Sequence, residues 1–179
     1  QRYPGGPSPD PILSTKAGLN RFVWDMRYQS LPGIPTAYIE GSYRGHKAMP
    51  NLYSASLKQE DKLSKVSFTI LPNPLYNITK EEYLETHKFK IITEANLTDM
   101  HTRVNKLKKV QNQLIEIIKE LPEEQKYMSL KSEGEAIIQQ LKSWDEDMVQ
   151  RKSKAYDDVE NFPNKFTAEY IFLMNQNDS

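Results

Sequence analysis

Thr79-Lys80-Glu81-Glu82 opens a run that continues through Met100, Val104, Leu107, Gln111, Leu114, Ile118 and Leu121 to Pro122, and this run decides the fold. Thr79 with Glu82 reads as a capping box: the hydroxyl accepts from the third helical N–H, and the carboxylate reaches back. The apolar positions then step by three and four, which lays one stripe along a helix. Pro122 ends it. A second helix is expected over about residues 124–151, with Met128, Ile137, Ile138, Leu141, Trp144 and Met148 inward. Asn161-Phe162-Pro163-Asn164 restarts the chain, and Phe166, Tyr170, Ile171 and Met174 give a third, shorter stripe. Short links imply antiparallel neighbours. The expected core is Met100, Val104, Leu107, Leu114, Ile118, Ile137, Leu141 and Trp144, with room for a fourth helix beyond Ser179.

Upstream the period is two. Phe22, Trp24, Met26 and Tyr28 share one face and Arg21, Asp25 and Arg27 the other, the pattern of a half-buried strand carrying a charge ladder. Tyr53, Ala55 and Leu57 repeat the alternation, as do Val66, Phe68 and Ile70, with Gln59-Glu60-Asp61-Lys62 as a hairpin turn between them. Three strands fall short of the roughly seven of an immunoglobulin-like sandwich. The fold class is therefore α+β: a small, incomplete immunoglobulin-like β-domain followed by an antiparallel bundle of about three helices. The domains read as a proline-rich arm or linker at 1–18, a β-sandwich-like unit at 19–75 and the bundle at 76–179. Pro4, Pro7, Pro9 and Pro11, with Gly5 and Gly6, keep the arm out of regular structure. The aromatic face of three strands needs a second layer, and Tyr83, Phe89 and Ile92 are expected to carry the first helix across it.

Composition excludes several function classes. Among 179 residues, 24 Lys and Arg balance 24 Asp and Glu. Residues 1–75 hold nine basic against five acidic groups and the remainder fifteen against nineteen, too even a field for a nucleic-acid partner. There is no cysteine, so disulfides, zinc thiolates and cysteine nucleophiles are excluded together. No apolar run reaches the length of a membrane span. His46, His87 and His101 are scattered, with no pair at i, i+4, and read as solvated or capping residues rather than metal ligands. Asp145-Glu146-Asp147 and Asp157-Asp158-Glu160 lack the glycine of a calcium loop and read as solvated helix faces or ends. Glu40 lacks the second acid that glycoside hydrolysis needs. Asn77-Ile78-Thr79 and Asn96-Leu97-Thr98 fit the glycosylation pattern but are explained equally well by a cap and a surface turn. No catalytic, cofactor-binding or metal-ligating residue is assigned, and no cofactor.

Gly18-Leu19-Asn20-Arg21-Phe22-Val23-Trp24-Asp25-Met26-Arg27-Tyr28 resembles a motif near the C-terminus of secreted bacterial proteins with sortilin-like, BNR-repeat β-propellers, often labelled glycosyl hydrolases. Pro50-Asn51-Leu52-Tyr53, Leu71-Pro72-Asn73-Pro74 and Asn161-Phe162-Pro163-Asn164-Lys165 extend the resemblance more loosely over nearly the whole chain. Asn51 stands where that family has glycine, and Asn73 and Leu75 where it has Asp and Arg. In the family a propeller precedes a small immunoglobulin-like domain and a helical region. The resemblance thus implies an extracytoplasmic, periplasmic or secreted, non-catalytic accessory module whose partner is an upstream propeller or another protein. It transfers no catalytic residue, because the propeller lies outside these residues. The opening Gln1-Arg2-Tyr3-Pro4, without initiator Met or signal peptide, fits a fragment. The alternative is a carbohydrate-binding module, with a glycan stacked on exposed tyrosines. Tyr38 and Tyr43 are its candidates, with Tyr53 assigned to the core.

Overall fold

In a computed structural model describing residues 5–176, the helix start at Thr79 forms as its residues dictate. The Thr79 hydroxyl accepts from the Glu82 amide at 3.2 Å, and the Glu82 carboxylate accepts from the Thr79 amide at 2.7 Å. The bonds from Thr79 hold the Glu82 carboxyl below its ordinary range. Helix α1 then runs Lys80–Glu120, 41 residues, and ends on extended Leu121 ahead of Pro122.

A single turn at Gln125–Tyr127 leads into α2, Met128–Met148. Gly134 lets α2 sit close on α1, since a Cβ there would stand 2.4 Å from Ile118 Cδ1. Further along, Gln111 Nε2 donates to the Ile138 carbonyl at 3.4 Å, and Val104 shares a buried cluster with Val149. Positions falling on α1 while rising on α2 make the pair antiparallel. Helix α3, Phe166–Gln176, adds Ile171 and Met174 to a cluster around Leu97. The chain is α+β, and its described sheet is a two-stranded antiparallel hairpin, β1 Asn51–Gln59 and β2 Lys62–Ile70. Glu60, at φ 52°, makes its tight turn.

Most of the remaining core comes from residues 31–49, which are irregular yet bury Leu31, Ile34, Ala37, Ile39, Tyr43, Ala48 and Met49. Their apolar side chains join Leu97, Val104, Val149 and Ile171 of the helical part. A buried irregular backbone must still satisfy its polar groups. Here side chains from α1 and from the stretch after α2 do so. His101 Nδ1 meets the Pro32 carbonyl at 2.6 Å, Asn105 donates to Gly33 at 2.9 Å, and Arg151 donates to Pro35 at 3.1 Å. Asn175 bonds both the amide and the carbonyl of Ser42.

Several expectations need correction. Residues 22–28 form no strand: Met26 takes φ 59°, which breaks the alternation, and the pairing is one isolated bridge between Arg27 and Lys47. The charge ladder is replaced by a long-range pair of Asp25 with Arg44, while Arg27 donates to the Gly45 carbonyl at 3.0 Å. With two described strands, the immunoglobulin-like sandwich is not met. Nor does α1 cross the hairpin. Residues 71–79 form an exposed link that holds the hairpin away, and Phe89 and Ile92 face solvent. In the predicted helical core, Val104 is buried, Met100, Leu107, Leu114, Ile118 and Leu141 are half-buried, and Ile137 and Trp144 are exposed. The far half of a 41-residue helix is covered by α2 on one side, which cannot enclose both stripes fully. Of the arm, residues 1–4, Pro4 among them, lie outside the described residues. Gly5 packs against Tyr38, and Asp10 accepts from the Ser30 amide at 3.2 Å.

Candidate interaction face and histidine cluster

The hairpin register pairs Tyr53 with Phe68, Ala55 with Val66 and Leu57 with Ser64. Side chains alternate along a strand, so Tyr53, Ala55, Leu57, Val66, Phe68 and Ile70 share one face. The other carries Ser54, Ser56, Lys58, Lys65, Ser67 and Thr69, with Leu52 and Leu63 near its ends. An amphipathic ribbon of this kind normally seats its apolar face on a second layer. Here cover exists at one end. The Trp24 ring meets Tyr53 at 6.0 Å and Phe68 at 6.1 Å, edge-on, and its indole N–H is fixed on the Arg27 carbonyl at 2.8 Å. Beyond Trp24 the face is open, with Leu57 57% and Val66 62% exposed. Phe22, Val23 and Met26, in the same stretch as Trp24, are exposed as well.

Behind the hairpin's root the chain before β1 is fastened to α1. Gly45 allows close approach to the facing strand-like segment, since a Cβ there would lie 2.6 Å from Tyr28 backbone atoms. Tyr28 N–H then donates to the His46 carbonyl at 3.0 Å, and the Ala48 amide to Met26 at 2.7 Å. The His46 ring lies under Tyr28 at 4.3 Å, nearly parallel. Its Nε2 meets His87 Nδ1 at 2.9 Å, and its backbone amide donates to Glu94 Oε1 at 2.7 Å. The second Glu94 oxygen stands 2.9 Å from His46 Nδ1, too oblique for a hydrogen bond.

His46 and His101 are buried, which corrects their reading as solvated or capping residues. The Pro32 carbonyl can only accept, so His101 Nδ1 carries a proton, and buried Nε2 has no hydrogen-bond partner among the described residues. The ring is neutral. Burial holds His101 below the ordinary histidine value against the pull of the Pro32 carbonyl. His87 is held down by burial and then by the charge of His46, with Glu94 opposing. An unfolded chain would take these protons at ordinary values, near 6.5. The unfolded state then binds more protons, so stability falls as pH drops through that value and levels off below the folded-state values. Urea midpoints are expected to be lower at pH about 5.5 than at about 7.5, and His101→Gln should shrink the difference if it folds. An equal or higher midpoint in acid would contradict this.

Asp145, expected to be solvated, is buried and paired with Arg151. Asp158 accepts from the Lys154 and Ala155 amides at a turn. Asn96 lies within α1 and Asn77 in the exposed link before it. Glu40 is half-buried. Among the described residues no three His, Cys, Asp or Glu groups are placed to hold a metal. Tyr43 is buried, edge-on to His101, and Tyr38 is half-buried, so they make no exposed stacking platform. A shallow groove of about 330 Å³ runs between the helices, walled by Met100, Trp144, Met148, Phe166 and Tyr170, with the Asp99–Arg103 pair at its rim.

No protein family, characterised protein or solved structure matches the chain. No described helix is long and apolar enough to cross a membrane. The histidine pair was hidden from sequence reasoning because its members stand 41 positions apart, with no motif joining them. The ribbon face was readable, through the alternation of Tyr53, Ala55 and Leu57 against Val66, Phe68 and Ile70.

Proposed function

We propose that this chain is a non-catalytic interaction module, the accessory part of a larger extracytoplasmic protein, and that it docks through the apolar face of its β-ribbon. One observation carries the reading: beyond Trp24 the face formed by Ala55, Leu57 and Val66 has no layer behind it among the described residues, while the opposite face is mostly serines and lysines, with Leu52 and Leu63 only near its ends. A two-stranded ribbon is marginal by itself and gains most from apolar cover. The occupant is a protein surface. The resemblance of residues 18–28 to sortilin-like propeller proteins favours an upstream propeller, with a separate protein partner as the other source.

A photo-reactive side chain placed at Val66 in the naturally produced protein tests this. Cross-links to a polypeptide, either the preceding part of the same chain or a second protein, are expected from Val66. The same probe at Lys65, on the polar face, is expected to give few. Equal yields from the two positions, or none from Val66, would overturn the reading.

A further inference from the structure

We infer that the contact between His46 and His87, backed by Glu94, is a latch that opens in acid and releases residues 45–49, the root of the hairpin, from α1. Two ring nitrogens 2.9 Å apart can share one proton, whichever ring supplies it. The Glu94 carboxylate beside His46 Nδ1 favours a proton there as well. The contact therefore needs one donor and one acceptor nitrogen, one ring donating to the other. A proton on each of the two facing nitrogens aims a donor at a donor. The contact then breaks.

The surroundings do not relieve that second charge. On α1, buried Lys90 lies one turn from both His87 and Glu94 and adds a cation to the same stretch of helix. On the opposite side are Tyr28, stacked on His46 and 5.6 Å from the His87 ring, and beyond it Tyr53, whose hydroxyl is kept above its ordinary value by burial and by Tyr28. Arg27 and Lys47, joined by the isolated bridge, add positive charge at the edge. The desolvation and His46 charge that hold His87 low act in the same direction.

What the latch holds is specific. Met49 accepts the Tyr53 hydroxyl at 2.8 Å, and β1 begins at Asn51, so freeing 45–49 unties the ribbon from the helices. That acid would thereby alter docking rests on the function proposed above. The opening itself does not, and it is measured on the free chain.

The reporters are the amides of Tyr28, His46 and Ala48, whose bonds to His46, Glu94 and Met26 the latch preserves. Their hydrogen exchange, corrected for the intrinsic pH effect, is expected to accelerate at least about tenfold between pH about 7.5 and 5.5, the factor for one pKa unit of coupling. The Val149 amide, bonded to Asp145 at 2.8 Å, should stay protected. His87→Gln keeps an acceptor but cannot take a proton, and should make the reporters insensitive to pH. Imidazole ¹⁵N shifts of the unaltered chain should show the second protonation at the same pH as the opening. Unchanged reporters, equal acceleration at Val149, or full opening in His87→Gln would each overturn the latch.

Discussion

Leu97→Ala is expected to destabilise the fold by about 2–5 kcal/mol, the cost of truncating a fully buried leucine. Leu97 is fully buried and sits where three parts of the chain meet. Leu31, Ile39 and Tyr43 come from the irregular segment, Ala168, Ile171 and Met174 from α3, and Leu97 itself from α1. Neither neighbour can collapse into the space left, because the segment is tied to α1 through Pro32 and Gly33, and α3 through Asn175. The cost is therefore lost transfer energy plus a retained cavity. Urea denaturation followed by circular dichroism measures it. A loss under about 0.5 kcal/mol, the range of surface substitutions, would show that the three parts do not share a core.

Asp145→Ala should cost about 3–5 kcal/mol, by a different route. Arg151 Nε meets one Asp145 oxygen at 2.5 Å and its NH2 group the other at 2.7 Å, a two-pronged pair with both side chains largely buried. The third guanidinium nitrogen bonds Pro35 and Thr36 Oγ1, each at 3.1 Å. Thr36 sits at φ 66°, an uncommon conformation for a β-branched residue, so Arg151 also steadies a strained turn. Alanine at 145 leaves that guanidinium short of water and without its anion. Asp145→Asn keeps acceptor geometry and should cost less. Combining Asp145→Ala with Arg151→Ala should cost clearly less than the sum of the two, since the stranded charge is gone. Additive losses, or a single-mutant loss below about 1 kcal/mol, would refute the pair's role.

What could be read from the residues was local. Thr79 and Glu82 declare a helix start three positions apart, Pro122 a stop, and Gln59 to Lys62 a turn, and each needs information from a few neighbours only. The alternation around Trp24 misled for the same reason. Phe22, Trp24, Met26 and Tyr28 have strand spacing, but the left-handed turn at Met26 is set by its junction with residues 44–48, which no local pattern encodes. The buried state of Asp145 was equally invisible, since Arg151 gives it a partner through a bend rather than along a helix face. His46 and His87 meet because α1 passes beneath a segment that precedes it by two strands. The candidate face was legible, whereas the cluster beneath it is a product of topology.

The stapling of residues 31–49 reverses the usual ranking of which parts of a chain tolerate editing. Irregular stretches ordinarily absorb insertions and deletions, while helices and strands do not. Here carbonyls at 32, 33 and 35 meet His101 and Asn105 on α1 and Arg151 just beyond the end of α2, fixed points in two different parts of the chain. Adding one residue would throw the later contacts out of phase with the earlier ones. The hairpin turn at Glu60-Asp61, by contrast, could lengthen without disturbing anything buried. In this protein the stretch without secondary structure has the least freedom in length, and the most regular sheet element has the most.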